Sequence, residues 1–509
     1  MTKVRNTLIL FGFIALKFII QYNLISPEYE LHRDEYLHLD MAHHWAWGYL
    51  SVPPVTSWIS SLIYLLGNSD FWVKFFPALF GALTITVVWK AIEELGGNTF
   101  ALILGATCVL FSALLRLNTL YQPNSLDVLT WVTFYFVVIK YFNTENSRWL
   151  YIAATVLAVG FLNKYNIVFA LPGFIPALLL SKQYKVFIKR DLYISGLLGL
   201  LLVSPNLMWQ YNNDFSVVHH MRQLAELQLV HVDRLGFLKS QLLFYMGSLF
   251  VIISSLYAFW FYEPFHKYRP FFWSIFFTLL VFLYFRAKDY YAIGLYPIYI
   301  SFGSVFISHF LRKGWFSYLR PVAIATPIVL TIPLFGVAFP NKSPEYIASN
   351  SALYKKYGLL RWEDGKDHEL PQDFADMLGW QELANKVDSI YAALPNKEQT
   401  LVLCDNYGQA GAINYYSQAG IKAVSFSADY VYWFDLDTQY TDVIRVINHW
   451  EVDDELKETA QYFQEAYPAD LIRNPYAREY KATICVFLSV KIDVNELLRK
   501  EIEEVKNFK

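Results

Sequence analysis

Long apolar segments alternate with short polar connections through the first 339 residues. The first of them, residues 6–25, has the length of ~20 residues with which a helix spans a bilayer. Further segments of similar apolar content follow at about 71–93, 99–115, 125–143, 149–166, 168–181, 191–209, 239–262, 271–286, 291–310 and 320–339. The pattern predicts about eleven transmembrane helices.

From about residue 340 the pattern changes to that of a soluble α/β domain. Short apolar runs bounded by polar residues, TLVLCDNY at 400–407 and TICVFLSV at 483–490, predict buried strands. Helical spacing of the apolar positions in ELKETAQYFQEAY at 455–467 and VNELLRKEIEEVKNF at 494–508 predicts amphipathic helices. We therefore predict a polytopic α-helical membrane domain over residues 1–339 and an α/β domain over residues 340–509.

Composition supports this division and excludes two classes of protein. The chain is 55% hydrophobic and only 17% charged, with a mean hydropathy of +0.28, which is too apolar for an ordinary soluble protein. Its formal net charge is −2 and its basic residues are scattered, so membrane lipids rather than nucleic acid are the expected partners. The 3 cysteines fit no zinc or redox spacing, and a disulfide between Cys404 and Cys485 is left open.

The distribution of Lys and Arg predicts the orientation of the chain. Lys3 and Arg5 flank the first apolar segment and place its N-terminus on the cytoplasmic side. Alternate connections then carry most of the cations, namely Lys90; Lys140 and Arg148; Lys182, Lys185, Lys189 and Arg190; Lys267 and Arg269; and Arg312, Lys313 and Arg320. With an odd number of spans across the cytoplasmic (inner) membrane, the domain from 340 onward is predicted to be extracytoplasmic.

One predicted outer connection, residues 26–56, is rich in polar and aromatic groups. It contains an adjacent pair of acids, Asp34 and Glu35. Its other ionisable residues include Arg33, His38, Asp40, His43 and His44. A short link between membrane helices needs none of these groups, and their desolvation is costly unless they meet partners or substrate. We interpret this segment as an active-site loop, with a second outer loop at residues 210–238.

The few cations in the other predicted outer connections stand beside acids or aromatic residues. The candidates for binding an anionic substrate group are Lys164 with Tyr165, Lys288 with Tyr290 and Tyr291, Arg286, and Lys74 early in the second apolar segment. An ammonium group at headgroup depth can meet a phosphate. Each lysine also has an interpretation without a substrate. Lys164 then only extends its ammonium group from the membrane to the membrane–water interface, and Lys74 only anchors its helix at that interface.

Several motifs together resemble the bacterial glycosyltransferase family 39. They are the acidic pair after the first apolar segment, Pro53-Pro54, GFLNKYNIVFALPGF at 160–174, SPNLMWQY at 204–211, AKDYYAIGLYP at 287–297, and DNYGQAG and NPYAREY in the tail. This family is related to the protein O-mannosyltransferases and the lipid A aminoarabinose transferases, which share the GT-C membrane fold. The resemblance implies sugar transfer from a polyprenyl-phosphate-linked donor to a lipid, glycan or protein acceptor at the outer face of the cytoplasmic membrane.

The resemblance also implies roles for single residues. In the resembling families the first acid of the pair is the base, which makes Asp34 the predicted base, and Glu35 is predicted to position the acceptor or bind a cation. Displacing a lipid phosphate also requires positive charge on the leaving group, for which Lys164 is the first candidate. Asn124 stands where many relatives have Asp, which leaves Asp127 as the nearby acid. The role of Asp127 is open, and a helix-capping or structural role is favoured.

No metal site follows from the spacing of the histidines and acids. Asp40 and His44 stand four apart and can share a helix face, but no third ligand has a firm spacing. Aminoarabinose transferases often have an acid and a lysine directly before the paired prolines, where this chain has Ser51 and Val52. Whether the protein binds a divalent metal ion is thus left open, and no residues are assigned as its ligands. No other cofactor is predicted.

A transporter and a receptor are the two alternatives to an enzyme for a chain with this pattern. A transporter or flippase of a lipid-linked sugar would also have many spans, but its charged residues should lie near mid-membrane, often in repeated halves. Here the charged residues cluster at one predicted face. A receptor whose outer domain binds a ligand would leave the Asp34-Glu35 segment unexplained.

Overall fold

The computed structural model describes residues 2–227 and 233–506, and the chain forms two compact units. The first, called here the helical unit, consists of Met1–Leu24, Val52–Thr56 and Phe71–Phe339. The second, called the α/β unit, consists of Ile25–Ser51, Ser57–Asp70 and Pro340–Lys509. Most of the polar segment that we assigned to the membrane domain thus folds with the C-terminal residues. Part of the predicted 210–238 loop, residues 228–232, lies outside the described residues.

The described part of residues 1–339 is mostly helical, with short 3₁₀ turns such as Tyr165–Phe169 and Asp289–Leu295 between helices. The helices are α1 Thr2–Tyr22, α2 Arg33–Asp40, α3 Val55–Leu65, α4 Asp70–Glu94, α5 Thr99–Leu110, α6 Leu114–Leu117, α7 Asn124–Thr144, α8 Arg148–Asn163, α9 Ala170–Leu180, α10 Arg190–Asn212, α11 Ser216–Leu227, α12 Arg234–Phe244, α13 Leu249–Phe261, α14 Arg269–Tyr284, α15 Pro297–Phe310, α16 Arg320–Thr331 and α17 Phe335–Ala338.

The lengths of these helices agree with a polytopic membrane protein. Within the described residues, five helices are long and apolar enough to cross a membrane: α1, α4, α7, α10 and the run Gly314–Ala338. The number rises to seven if each of two bent helix pairs, at residues 234–261 and 289–310, is one span. Every predicted apolar segment contains helix, but some of these helices are short for a bilayer, such as α5 with 12 residues. The total of about eleven spans stays a prediction.

Tight helix packing fixes the ends of the helices that carry candidate residues. α8 packs against α7 and α10, α9 against α14, and α13 against α15. Large side chains such as Trp131, Tyr135 and Phe271 fill the shared core. α13 and α15 approach closely at Gly303, where a Cβ atom would lie 1.9 Å from the carbonyl oxygen of Val251. Only glycine allows that approach.

The α/β unit is built on a mixed five-stranded sheet of order β2-β1-β3-β5-β4. Its strands are β1 Thr400–Cys404, β2 Val424–Ser425, β3 Asp442–Ile447, β4 Phe463–Leu471 and β5 Thr483–Val490. Its later helices are α18 Pro344–Ser349, α19 Ser351–Lys356, α20 Gln372–Ala375, α21 Trp380–Ala393, α22 Tyr407–Tyr416, α23 Val452–Ala460 and α24 Val494–Lys506. β2, β1 and β3 run parallel, whereas β5 is antiparallel to both β3 and β4.

Three of the four elements predicted for this unit are confirmed. The strands predicted at 400–407 and 483–490 are β1 and β5, and the helix predicted at 494–508 is α24. Leu498 and Ile502, four residues apart, lie on the buried face of α24. Helical spacing of apolar positions is a reliable signal where one face is covered by a sheet.

The fourth prediction, a helix over residues 455–467, is wrong in its second half. α23 ends at Ala460, and β4 begins at Phe463. β4 is an edge strand, and after the buried Phe463 most of its side chains are exposed. Its sequence therefore lacks the strict alternation that identifies a half-buried strand.

The two tail cysteines are buried free thiols. Cys404 lies on β1 and Cys485 on β5, with β3 between these strands. Neighbouring strands are ~4.8 Å apart, so two such spacings exceed the Cα separation of about 7 Å that a disulfide tolerates. The sheet keeps the two thiols apart.

Candidate active site

The acidic pair opens the short helix α2. His32 is the N-cap, and its Nδ1 accepts a hydrogen bond from the backbone N–H of Asp34 at 3.2 Å. Glu35 Oε2 accepts a hydrogen bond from the backbone N–H of His32 at 2.7 Å. This capping box satisfies donors that a helix start leaves free. Glu35 is fully buried and holds the start of the helix, and its predicted role toward the acceptor or a cation stays a prediction.

Asp34 is more accessible than Glu35. Its side chain is 35% exposed, and its Oδ1 accepts a hydrogen bond from the hydroxyl of Tyr407 at 2.7 Å. Tyr407 is the first residue of α22, which packs on α2. The guanidinium carbon of Arg33 lies 4.4 Å from the centre of the Tyr407 ring. The tyrosine thus holds both the carboxylate and the cation beside it.

The neighbours of Asp34 keep it ionised. Burial raises the pKa of Asp34, but its interactions with His32 and Arg33 and the hydrogen bond from Tyr407 outweigh this effect, so that the pKa lies below its ordinary value. The carboxylate is therefore negative at neutral pH and can accept a proton, although its basicity is modest.

His32 also connects Asp34 to a second carboxylate. His32 Nδ1 lies 3.9 Å from Asp34 Oδ2, and His32 Nε2 lies 3.6 Å from Asp376 Oδ2. The buried Asp376 pairs in turn with Arg478, whose Nη1 lies 3.1 Å from Oδ1. Tyr407, Asp376 and Arg478 were not predicted from the sequence. The signal was present for two of them, because Tyr407 lies in DNYGQAG and Arg478 in NPYAREY, both motifs of the family resemblance.

In the helical unit, Lys164 meets the tyrosines predicted with Lys288. Lys164 lies between α8 and the turn Tyr165–Phe169, and its Nζ donates to Asn124 Oδ1 at 2.7 Å. The same Nζ lies 4.3 Å and 4.9 Å from the ring centres of Tyr291 and Tyr290. Aromatic faces and an amide oxygen hold an ammonium group without neutralising it. We call these four residues the lysine cluster.

The start of α7 contributes more to this cluster than the sequence analysis predicted. Asn124 and Asp127 both lie in its first turn. Asp127 is buried, and its charge attracts the ammonium of Lys164. Asp127 is thus also the electrostatic partner of Lys164, the residue predicted to bind the donor phosphate.

Tyr165 connects the neighbourhood of Lys164 to an apolar groove. Its hydroxyl donates to Asn206 Oδ1 at 3.2 Å and accepts from Gln210 Nε2 at 2.9 Å. Its ring packs against Phe161, with 4.9 Å between the centroids. Phe161 lines a groove of about 830 Å³ between α7, α8, α9 and α10. The other lining residues include Phe134, Leu157, Leu171, Leu200 and Leu207. The groove has the apolar lining that a hydrocarbon chain requires.

The remaining predicted cations lie on separate elements. Lys288 directly precedes the turn Asp289–Leu295, and its charge repels that of Lys164. Arg286 is exposed and has a φ of 50°. Lys74 is half-buried in the second turn of α4. The substrate-binding roles of these three residues stay predictions.

The histidines of the polar segment have separate surroundings. Burial lowers the pKa of His38 to about 4, so this side chain is neutral at physiological pH. His43 packs edge-on against Tyr64 at 4.6 Å, and His44 stacks on Trp433 at 4.1 Å between ring centroids. Among the residues that the structure describes, no three His, Cys, Asp or Glu side chains are grouped as a metal ion would require. The divalent metal ion stays an untested prediction.

Sequence comparison identifies relatives of part of the chain. The family model described as dolichyl-phosphate-mannose-protein mannosyltransferase matches residues 51–209. The lipid A galacturonosyltransferase RgtD of Rhizobium johnstonii is 26% identical over 198 residues. That alignment covers 37% of this chain and 41% of the relative.

Solved structures share the fold over nearly the whole chain. ArnT from Cupriavidus metallidurans, bound to undecaprenyl phosphate, aligns with a TM-score of 0.59 at 12% identity over 94% of this chain and 97% of its own. The same protein in the apo state aligns with a TM-score of 0.60 at 12% identity over 94% and 98%. The chain therefore has the same fold as ArnT. The residues of this chain that match the family model include Lys74, Lys164 and Tyr165, whereas Asp34 and Lys288 lie outside them.

Proposed function

We propose that this protein is a GT-C glycosyltransferase that transfers a hexosyl or pentosyl group from a polyprenyl-phosphate donor to a lipid acceptor at the outer face of the cytoplasmic membrane. The names of the relatives support both substrates, because ArnT was solved with undecaprenyl phosphate and RgtD is a lipid A galacturonosyltransferase. A glycan or a protein is the alternative acceptor. The distribution of Lys and Arg among the loops supports an extracytoplasmic position of the C-terminal domain.

The state of Asp34 carries the proposal. A neutral hydroxyl group is a poor nucleophile, so a carboxylate must take its proton as the oxygen attacks the anomeric carbon. Asp34 is ionised, partly exposed and oriented by Tyr407. Glu35, in contrast, is buried in the capping box. Within the pair, Asp34 is the base and Glu35 supports it by fixing the start of α2.

The lysine cluster is assigned to the leaving group. As the new bond forms, the bond between the anomeric carbon and the phosphate oxygen breaks, and the electron pair leaves with the phosphate. The Lys164 ammonium, held by Asn124, Tyr290 and Tyr291, supplies positive charge for this oxygen. The apolar groove that begins beside Tyr165 suits the polyprenyl chain. The role of Asp34 is argued from contacts within the α/β unit, and the role of Lys164 from contacts within the helical unit.

The test is sugar transfer by the purified full-length protein. The donor is the lipid-linked sugar that accumulates in cells lacking the protein, radiolabelled, and the acceptor is the lipid extract of the same cells. The unaltered protein should produce labelled lipid, and the Asp34→Asn variant should produce far less. A flippase would instead move the donor across vesicle membranes without labelling any acceptor, and that result would overturn the proposal.

A further inference from the structure

A small cationic pocket lies at the end of the β4–β5 pair in the α/β unit. It has a volume of about 450 Å³, and its lining includes Arg473, Lys481, His449, Tyr480 and Thr483. No acidic side chain lines it among the described residues. A volume of this size accommodates a phosphorylated or carboxylated sugar.

The backbone brings Lys481 into this pocket through an irregularity of the sheet. The backbone N–H of Ile472 donates to Ala482 O at 2.9 Å, whereas Ile472 O accepts from the N–H of Lys481 at 2.9 Å. Lys481 and Ala482 therefore both oppose Ile472, which is the arrangement of a β-bulge. Lys481 has a φ of 66°, a conformation that few residues other than glycine adopt. The bulge re-aims the lysine side chain to line the same pocket as Arg473.

The charges around the pocket are unbalanced. Arg473 Nη2 lies 3.3 Å from Asp470 Oδ1, but Lys386 Nζ lies 3.3 Å from the same oxygen. Lys386 is further paired with Glu382 at 2.7 Å. Lys481 has no ion-pair partner among the described residues, and its Nζ lies 5.2 Å from the centre of the Tyr480 ring. Two cations that line one pocket repel each other unless an anion joins them.

The loop that carries the pocket also reaches the surroundings of Asp34. Arg478 belongs to this loop and pairs with Asp376, which contacts the N-cap histidine of α2. Its neighbour Glu479 is buried, and Glu479 Oε2 accepts a hydrogen bond from Gln409 Nε2 on α22. α22 also carries the tyrosine that holds Asp34. Residues 472–482 thus connect the pocket to the candidate base within one unit.

We propose that this pocket binds an anionic group, a phosphate or a carboxylate, on the saccharide headgroup of the lipid acceptor. The proposal rests on the proposed function and names its acceptor more closely. Arg473 offers a planar pair of donors to such an anion, and Lys481 adds a second, point-like charge. The Tyr480 ring and the Thr483 hydroxyl offer a face and a polar group to the sugar that bears it.

Binding to the full-length protein in nanodiscs tests the site without requiring catalysis. The probes are lipid A with its phosphate groups, the same lipid after removal of the phosphates, and inorganic phosphate. The variant is Arg473→Gln/Lys481→Gln. The matched control is Lys397→Gln/Lys500→Gln, which removes the same charge from exposed positions of the same unit. The Kd for phosphorylated lipid A should rise about tenfold or more in the variant and stay nearly unchanged in the control.

The outcomes separate the possible sources of the anion. Equal binding by the variant and the unaltered protein, or equal binding of the two lipid A forms, would overturn the proposal. Saturable binding of inorganic phosphate that depends on the two cations, without such dependence for lipid A, would show a free-phosphate site and also overturn it. In the transfer assay the variant should raise the acceptor KM and leave kcat unchanged. A protein that binds the lipid through these cations but transfers no sugar would refute the proposed function alone.

Discussion

The two ends of helix α2 each carry an aspartate, and the two side chains have different kinds of neighbours. Asp34 stands at the N-terminal end beside cations, of which Arg33 is one. Asp40 is the last residue of the helix, where the amide of Asn414 and the hydroxyl of Tyr430 donate to its Oδ2 at 2.6 Å and 2.7 Å. The first acid is surrounded by charge and the second by neutral donors.

This difference sets the two pKa values in opposite directions. Burial raises the pKa of Asp40, and the hydrogen bonds from Asn414 and Tyr430 only partly offset that effect. The pKa of Asp34 is lowered, because its cationic neighbours outweigh the effect of burial. The helix dipole also favours an anion at the first end and disfavours it at the second. Burial alone would have treated the two acids alike, so the charged neighbours identify Asp34 as the ionised candidate base.

The largest expected effect is on turnover. Asp34→Asn keeps the size of the side chain and removes the base, so kcat should fall about 10²–10⁴-fold while the donor still binds. Asp40→Asn keeps an acceptor for Asn414 and Tyr430 and should leave kcat within a few fold. Transfer assays at saturating donor measure both variants. A larger loss in Asp40→Asn than in Asp34→Asn would reverse the comparison.

Glu35→Gln separates the two members of the acidic pair. Gln can take the place of Glu in a capping box, so this variant should be milder than Asp34→Asn. Near-native turnover of Asp34→Asn together with an inactive Glu35→Gln would exchange the two roles. If both variants stayed active, the base would lie elsewhere.

The next effect concerns the donor. Lys164→Ala removes an ammonium assigned to the leaving phosphate, and a charge-assisted hydrogen bond of this kind is worth about 10- to 100-fold in affinity. We expect weaker binding or slower transfer of the polyprenyl-phosphate sugar in a folded protein. Lys182→Ala, at an exposed position, is the matched control. Unchanged donor affinity and transfer rate in Lys164→Ala would show that Lys164 does not bind the donor phosphate and only reaches the membrane–water interface.

The sequence predicted single groups better than their partners. The apolar segments, the acidic pair and the outer lysines are local features of composition and spacing. The bond between Asp34 and Tyr407 joins positions 373 residues apart, and no local pattern encodes it. The cap formed by His32 was missed for another reason, because Ser, Thr, Asp and Asn are the usual N-cap residues.

Arg33 offers a smaller effect that tests the pKa argument directly. Asp34 must be ionised to act as a base, so activity should fall as the pH drops through its pKa. Arg33→Gln removes a charge that lowers this pKa, so the acidic limb of the kcat/KM profile should move to higher pH. Arg478→Gln is the control, since Arg478 pairs with Asp376 rather than with Asp34. Equal shifts in both variants would mean that Arg33 does not act on the base directly.

The smallest effect is on stability, and its sign differs between the two ends of α2. The lowered pKa of Asp34 means that its ionised form stabilises the folded protein above the unfolded pKa of ~3.9, and this contribution is lost as the pH falls through the folded pKa. The raised pKa of Asp40 means the reverse, because its contribution is present at low pH and is lost as the pH rises through the folded pKa.

Asp34→Asn should therefore lower the apparent Tm at neutral pH, and Asp40→Asn should leave it unchanged or raise it. Each change in the free energy of unfolding should be on the order of 1 kcal/mol or less, since solvent screens the partly exposed Asp34, and each should shrink toward zero at acidic pH. Thermal unfolding of the full-length protein between about pH 2 and pH 8, with the exposed Asp453→Asn as control, measures both. Parallel pH dependence in the two variants would show that the neighbours of α2 do not distinguish its two acids.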